Sequence, residues 1–245
     1  MVDEEENFPL VTFILSAAMV ATFLFTSTNL TYYEFLFGFI PRSPKIYSLI
    51  TYSFIHADFT HLFFNLIFLF VAGLAVEKVL GRFIFFAVYI SSANLAVMFD
   101  IIGRFISHVS FTSPFIGASG AIFGVLAIAA LIKPEERIPT FLNVIVLIAI
   151  ILNLFPYFRL FYSYQTILGI HAFILLTGVL VILLASILAF LPSLPSINLV
   201  MLIFIVNWLI TVLLNLSPNV SNVGHLGGVV GGIISFSLFV KAKEA

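Results

Sequence analysis

The sequence predicts an all-α fold: a polytopic membrane bundle of about eight transmembrane helices. Composition is the first reason. Of 245 residues, 62% are hydrophobic and 9% charged, with a mean hydropathy of +1.23. A soluble domain is roughly 45–50% apolar and about 25% charged, so too few polar side chains exist here to cover a water-exposed globule. Pattern is the second reason. The apolar residues fall in continuous runs long enough for spanning helices, which take about twenty residues, whereas barrel strands alternate over about ten. Eight runs qualify, at 8–27, 62–80, 83–102, 115–132, 139–156, 166–190, 197–216 and 223–240.

The first run follows Asp3-Glu4-Glu5-Glu6. A secretory signal opens with positive charge, so this run is read as a retained helix. Asn29–Thr60 is a long mixed loop whose Tyr32, Tyr33, Phe35, Phe37 and Phe39 suit the headgroup level. Packing or lipid anchoring is its default role, and substrate gating the alternative. Gly81-Arg82 makes a tight turn between the second and third runs, and Lys133–Arg137 closes the fourth. Pro156–Arg159, Pro192–Pro195 and Ser217–Asn219 punctuate the remainder, since Pro and Asn continue helices poorly. With the N-terminus inside, Lys78, Arg82, Lys133, Arg137, Lys241 and Lys243 face the cytoplasm against Arg42, Lys45, Arg104 and Arg159 outside, the bias that positive-inside orientation requires.

Several chemistries are excluded. The net charge is −1 and the ten Lys and Arg are scattered, so no nucleic-acid surface is expected. Without Cys there are no disulfides, thiolate metal sites or cysteine nucleophiles. No His-Glu-x-x-His zinc motif occurs, and Asp100 is the single Asp within a run, whereas an aspartyl dyad needs two. Neither a metal nor a cofactor is expected.

Intramembrane polar groups default to functional hypotheses because burying them in lipid is costly. The second run opens with His61 and Asn65, at i and i+4 on one helix face. The fourth opens Gly117-Ala118-Ser119-Gly120, and the eighth opens Gly224-His225. Runs two, four and eight point the same way, so these groups share one depth near one face of the membrane. Gly120 and Gly124 are spaced four apart, as are Gly224, Gly228 and Gly232, and small residues at this spacing let helices approach closely. Such an approach would bring Ser119 to His225. A serine hydroxyl is a weak nucleophile until a base takes its proton, and His61, Asn65 and the Ser119 amide could hydrogen-bond a developing oxyanion. Each piece also has a plainer reading: glycine packing, a serine bonded to its own helix, a His and Asn bridging neighbouring helices. Their coincidence at one depth favours catalysis.

Taken together, Gly117-Ala118-Ser119-Gly120, His61-x-x-x-Asn65 and Gly224-His225-x-x-Gly228-x-x-x-Gly232 resemble the signature of the rhomboid intramembrane serine proteases. His56, Gly73, Glu77 and Gly81 resemble that family's second helix and its approach, and the likeness covers roughly 45–132 and 197–240. The resemblance implies a serine endopeptidase cutting a peptide bond in or near the transmembrane segment of another membrane protein. Ser119 would be its nucleophile and His225 its general base and acid. It implies an oxyanion hole of His61, Asn65 and the Ser119 amide, with Phe123 packed on the catalytic imidazole and Glu77 and Gly81 structural at the inner end of the second span. Gly117, Gly120, Gly228 and Gly232 would support the site.

Two features depart from that family. Basic members have six spans, usually with one between the Ser and His helices, whereas 106 residues separate Ser119 from His225. The expectation is a single rhomboid-like membrane domain over 1–245, a six-helix core with a helical pair inserted at 139–196. Where many members carry Trp-Arg before the second helix, Tyr47-Ser48 stands here. His225 is preferred to His171 as base because the latter lacks a preceding glycine, and His56 and His108 are read as packing and solvated residues. No acid lies between Glu136 and Glu244, so a dyad is simpler than a triad using Asp100. The alternatives are a catalytically inactive rhomboid-like protein that binds or routes membrane clients, and an eight-helix transporter or channel. The expected setting is the plasma membrane of a prokaryote, crossed many times.

Overall fold

Two helices of this protein start at polar side chains beside the apolar runs. The computed structural model describes residues 8–106, 108–132 and 222–244. The runs at 139–156, 166–190 and 197–216, the inserted pair and His171 lie outside the described residues. Within them the chain forms α1 (Leu10–Thr26), α2 (Leu30–Phe37), α3 (Ser48–Thr51) running into a 3₁₀ turn (Tyr52–Phe54), α4 (Phe59–Leu80), α5 (Arg82–Ile106), α6 (Ser119–Ile132) and α7 (Asn222–Glu244). α4 and α5 are each long and apolar enough to cross a membrane.

The Asp58 carboxylate accepts the His61 amide at 2.7 Å and caps α4, satisfying one of the donors a helix start leaves open. Asn29 does the same for α2 through the Tyr32 amide, at 3.4 Å. α4 stops at Gly81, whose φ of +80° suits a residue without Cβ and allows α5 to begin at once. α1 has no side-chain cap of its own. Glu77, buried on α4, supplies it instead: one carboxylate oxygen accepts the Val11 amide at 2.8 Å, and the other accepts the Thr12 amide at 2.7 Å and the Thr12 hydroxyl at 2.8 Å. An anion at a helix N-terminus is favourably placed.

Within the described residues, the first, second, third, fourth and eighth runs correspond to helices whose ends differ from the runs by at most four residues, and two differences bear on the site. The fourth run begins at 115 in the sequence, but α6 begins at Ser119, because Phe115–Ala118 are drawn into other contacts. Asn29–Thr60 is more ordered than a loop, holding α2, α3 and the 3₁₀ turn. It is also pinned from within. Thr51 Oγ1 donates to Phe37 O at 2.7 Å, Tyr47 Oη to Leu36 O at 3.0 Å, and Lys45 Nζ to Phe35 O at 3.2 Å.

α5, α6 and α7 pack through small residues, and the register shows their directions. A Cβ on Gly228 would fall on the Gly120 carbonyl, and one on Gly232 would lie 2.5 Å from the Gly124 carbonyl, so α6 and α7 are parallel. A Cβ on Gly120 would meet Ala96, and one on Gly124 would meet Ser92, so α5 runs antiparallel to both. A second stripe completes the groove: Cβ atoms on Gly227 and Gly231 would lie 2.5 Å from the Leu95 carbonyl and 2.8 Å from Ser92 Cα. This stripe has the same four-residue spacing, offset by one. Lower down, the Ser91 and Ser235 hydroxyls share a hydrogen bond of 2.5 Å.

Candidate active site

Ser119 is the first residue of α6, and three backbone ties deliver it there. Phe39 and Phe115 exchange hydrogen bonds of 3.0 and 2.7 Å as an isolated antiparallel pair. The Gly117 amide donates to the Tyr52 carbonyl at 2.9 Å, and the Tyr52 hydroxyl, fully buried, donates to Ala93 O on α5 at 2.7 Å. Gly117 has φ +106°, a conformation that a side chain would strain. A Cβ there would also lie 2.6 Å from His61 Cε1 and Nε2. The glycine therefore serves two ends, turning the chain into α6 and leaving room for the His61 ring.

His225 occupies the first turn of α7, at the level of Ser119 because Gly228 seats on Gly120. Its Nε2 lies 2.8 Å from Ser119 Oγ. The imidazole stacks on Phe123, one turn below Ser119, with ring centroids 4.3 Å apart and planes 13° from parallel. Its buried Nδ1 has no hydrogen-bond partner among the described residues. Asp100 does not supply one: it is paired with Arg104 at 2.6 Å, which removes it as a third member.

His61 and Asn65 lie on the first two turns of α4. Asn65 is buried, and its Nδ2 donates to the His61 carbonyl at 3.0 Å. An amide nitrogen carries two hydrogens, so this bond leaves one. His61 meets His56 edge to face, with centroids 5.0 Å apart. His56 is wholly buried with Nδ1 3.1 Å from Phe54 O, which makes it a packing residue, and His108 is exposed, at φ +54°. Burial pushes the His56 imidazole down to about 3, His61 beside it acts the same way, and the Phe54 carbonyl opposes them. Gly224 is buried beside His225. Among the described residues no group of three or more His, Asp or Glu is arranged to hold a metal ion.

Two residue pairs contribute to the site beyond those the sequence singles out. Tyr52 and Phe115, their rings tilted 39° with centroids 5.1 Å apart, join the approach loops, and nothing local in their sequence marks that contact. Gly227 and Gly231 do carry a signal, their spacing.

Comparison with known proteins gives the arrangement a family. The profile of the Rhomboid domain matches residues 43–190. "Rhomboid protein 1, mitochondrial" of Saccharomyces cerevisiae is 33% identical over 94 residues, 38% of this chain and 27% of the relative. "Rhomboid-like protein 11, chloroplastic" of Arabidopsis thaliana is 33% identical over 104 residues, 42% of this chain and 35% of the relative. "Putative rhomboid protease YdcA" of Bacillus subtilis is 33% identical over 130 residues, 49% of this chain and 61% of the relative. The chain thus spans less than two thirds of the length of each of these relatives. Since the domain profile covers more than half of its residues, the chain belongs to the rhomboid family of integral membrane proteins.

Proposed function

We propose that the chain is an intramembrane serine endopeptidase that hydrolyses a peptide bond in or near the transmembrane segment of a membrane-protein substrate. The observation that carries this reading is the 2.8 Å approach of His225 Nε2 to Ser119 Oγ across 106 residues of sequence, within hydrogen-bond reach for a nucleophile and its base. Retention of both residues favours the enzyme over an inactive client-binding relative.

In this reading His225 Nε2 accepts the Ser119 proton as Oγ bonds to the substrate carbonyl carbon. The carbonyl oxygen takes the displaced electron pair as an oxyanion. Its donors are the Ser119 amide at the start of α6, the remaining Asn65 Nδ2 hydrogen and the His61 ring. The imidazolium then gives its proton to the leaving amine, and the C–N bond breaks. Water repeats the cycle in reverse, releasing the acid and restoring Ser119. With no carboxylate on Nδ1 among the described residues, the face of Phe123 is what stabilises the imidazolium, as aromatic faces do for cations. A substrate helix has its backbone bonds satisfied in lipid, so it must unwind locally to present a carbonyl, which favours small or helix-weakening residues at the cut.

The parallel α6 and α7 call for an odd number of crossings between them, which supports three spans within 133–221 and an eight-helix total. Ser119 and His225 would then lie beneath the outer leaflet with the N-terminus inside. Of these three matches, the Bacillus subtilis one covers the largest share of the relative's own length, which supports the plasma membrane of a prokaryote.

Cleavage of a model single-span substrate by the purified protein tests the reading. Ser119→Ala and His225→Ala should each lower kcat by at least about a thousandfold, as loss of either member of such a unit does. Equal cutting by wild type and Ser119→Ala would sink it, and substrate capture without cutting would favour the client-binding alternative.

A further inference from the structure

The nucleophile's approach loop, residues 108–118 before α6, is held by a charged pair outside the dyad and its oxyanion donors. Asp100 and Arg104 are one turn apart on α5, 3% and 9% exposed, with Nε donating to the Asp100 carboxylate at 2.6 Å. Arg104 Nη1 turns the other way. It donates to the Ser110 carbonyl at 2.7 Å, the Ser113 carbonyl at 3.0 Å and Ser113 Oγ at 2.9 Å.

We infer that Asp100 and Arg104 are positioning residues that clamp the approach loop and thereby set where Ser119 stands; this deepens the reading of Ser119 as nucleophile and rests on it. The planar guanidinium carries donors in a fixed fork, so orienting one edge on Asp100 orients the rest. A charge this deeply buried requires a partner, and Asp100 is that partner. The chain beyond the clamp has little slack. Arg42 N donates to Phe111 O at 3.0 Å, Phe115 pairs with Phe39, Gly117 bonds Tyr52, and Ser119 follows two residues later. A loop tied at both ends keeps Oγ at its distance from His225, whereas one released at its α5 end can shift. A misplacement of about 1 Å can cost roughly a hundredfold in rate. Catalytic geometry is what the pair contributes, so its loss should appear in kcat and leave KM unmoved.

The test uses the full chain in lipid nanodiscs, comparing wild type, Arg104→Lys and the double variant Asp100→Leu/Arg104→Met, which leaves no orphaned charge. Kinetics with a model transmembrane substrate are normalised to the folded fraction, and amide exchange is followed over residues 108–118. The double variant should lose about tenfold or more in kcat with KM within about twofold, and exchange faster over the loop. Arg104→Lys should recover part of kcat, since an ammonium reaches the loop carbonyls without forming the fork. Normalised kcat equal to wild type, or unchanged loop protection, overturns the inference. If wild type itself shows no cleavage that depends on Ser119, the proposed function fails separately, and loop exchange still decides whether the clamp exists.

Discussion

At the scale of single residues, the site's chemistry depends on which groups are kept neutral and which are kept apart. His56 is the clearest case. It is buried, held on the Phe54 carbonyl, and pushed down to about 3, so it enters the folded protein uncharged. In the unfolded chain the same imidazole titrates near its ordinary value of about 6.5. The unfolded state therefore binds the proton first on acidification. The contribution of neutral His56 is whole above about pH 6.5 and is lost as pH falls toward 3, on the order of 2 kcal/mol by pH 5. Melting temperatures at pH 7 and pH 5 should show a smaller acid-induced drop in His56→Gln than in wild type; identical drops would contradict this account. Asp100 shows why residue roles were only partly legible. The sequence marks it as an acid near the right depth, but in the fold Arg104, four residues on, already holds it. The i,i+4 spacing was visible, but which of two buried partners would win was not.

At the scale of elements, the distance between Ser119 and His225 is set by how closely α7 can settle against α5 and α6. Gly228 rests on the backbone of Gly120, which cannot yield as a flexible side chain would. Gly228→Val should therefore push the helices apart, with an overpacking cost of about 1–3 kcal/mol or more, and should abolish cleavage even in the fraction that remains folded. Gly81 is the control, since a Cβ there meets nothing within 4 Å but its φ is +80°. Gly81→Ala should cost about 1–3 kcal/mol from the backbone alone and leave kcat of the folded protein intact. A comparison of melting temperature and normalised kcat separates the two, and equal kcat losses would refute the packing argument. The helices themselves were readable because apolar runs and their punctuation are local signals. α2 was not, because its residues read equally well as an aromatic loop at an interface. α6 starts four residues after its apolar run does, because Phe115, apolar like its successors, pairs with the distant Phe39.

At the scale of the molecule, long-range ties hold the two ends of the described helices separately. Glu77 secures one end by capping α1 from α4, a bond spanning 65 residues. Glu77→Ala should cost about 3 kcal/mol or more by orphaning the Val11 and Thr12 amides, with little change in kcat for folded protein; a melting temperature equal to wild type would show that the cap is idle. The other end is laced by Phe39–Phe115, Gly117–Tyr52 and Arg104–Ser113, none of which leaves a periodic trace in the sequence. Helical direction, by contrast, followed from counting spans, and the parallel register of α6 and α7 agrees with it. The central claim is that the Ser119 hydroxyl is made nucleophilic by His225. Its most direct test is to react the purified protein with a fluorophosphonate and locate the adduct by peptide mass mapping. The account predicts a single phosphonylated residue, Ser119, with the adduct lost in His225→Ala. An adduct elsewhere, or labelling of Ser119 that persists undiminished without His225, would contradict it.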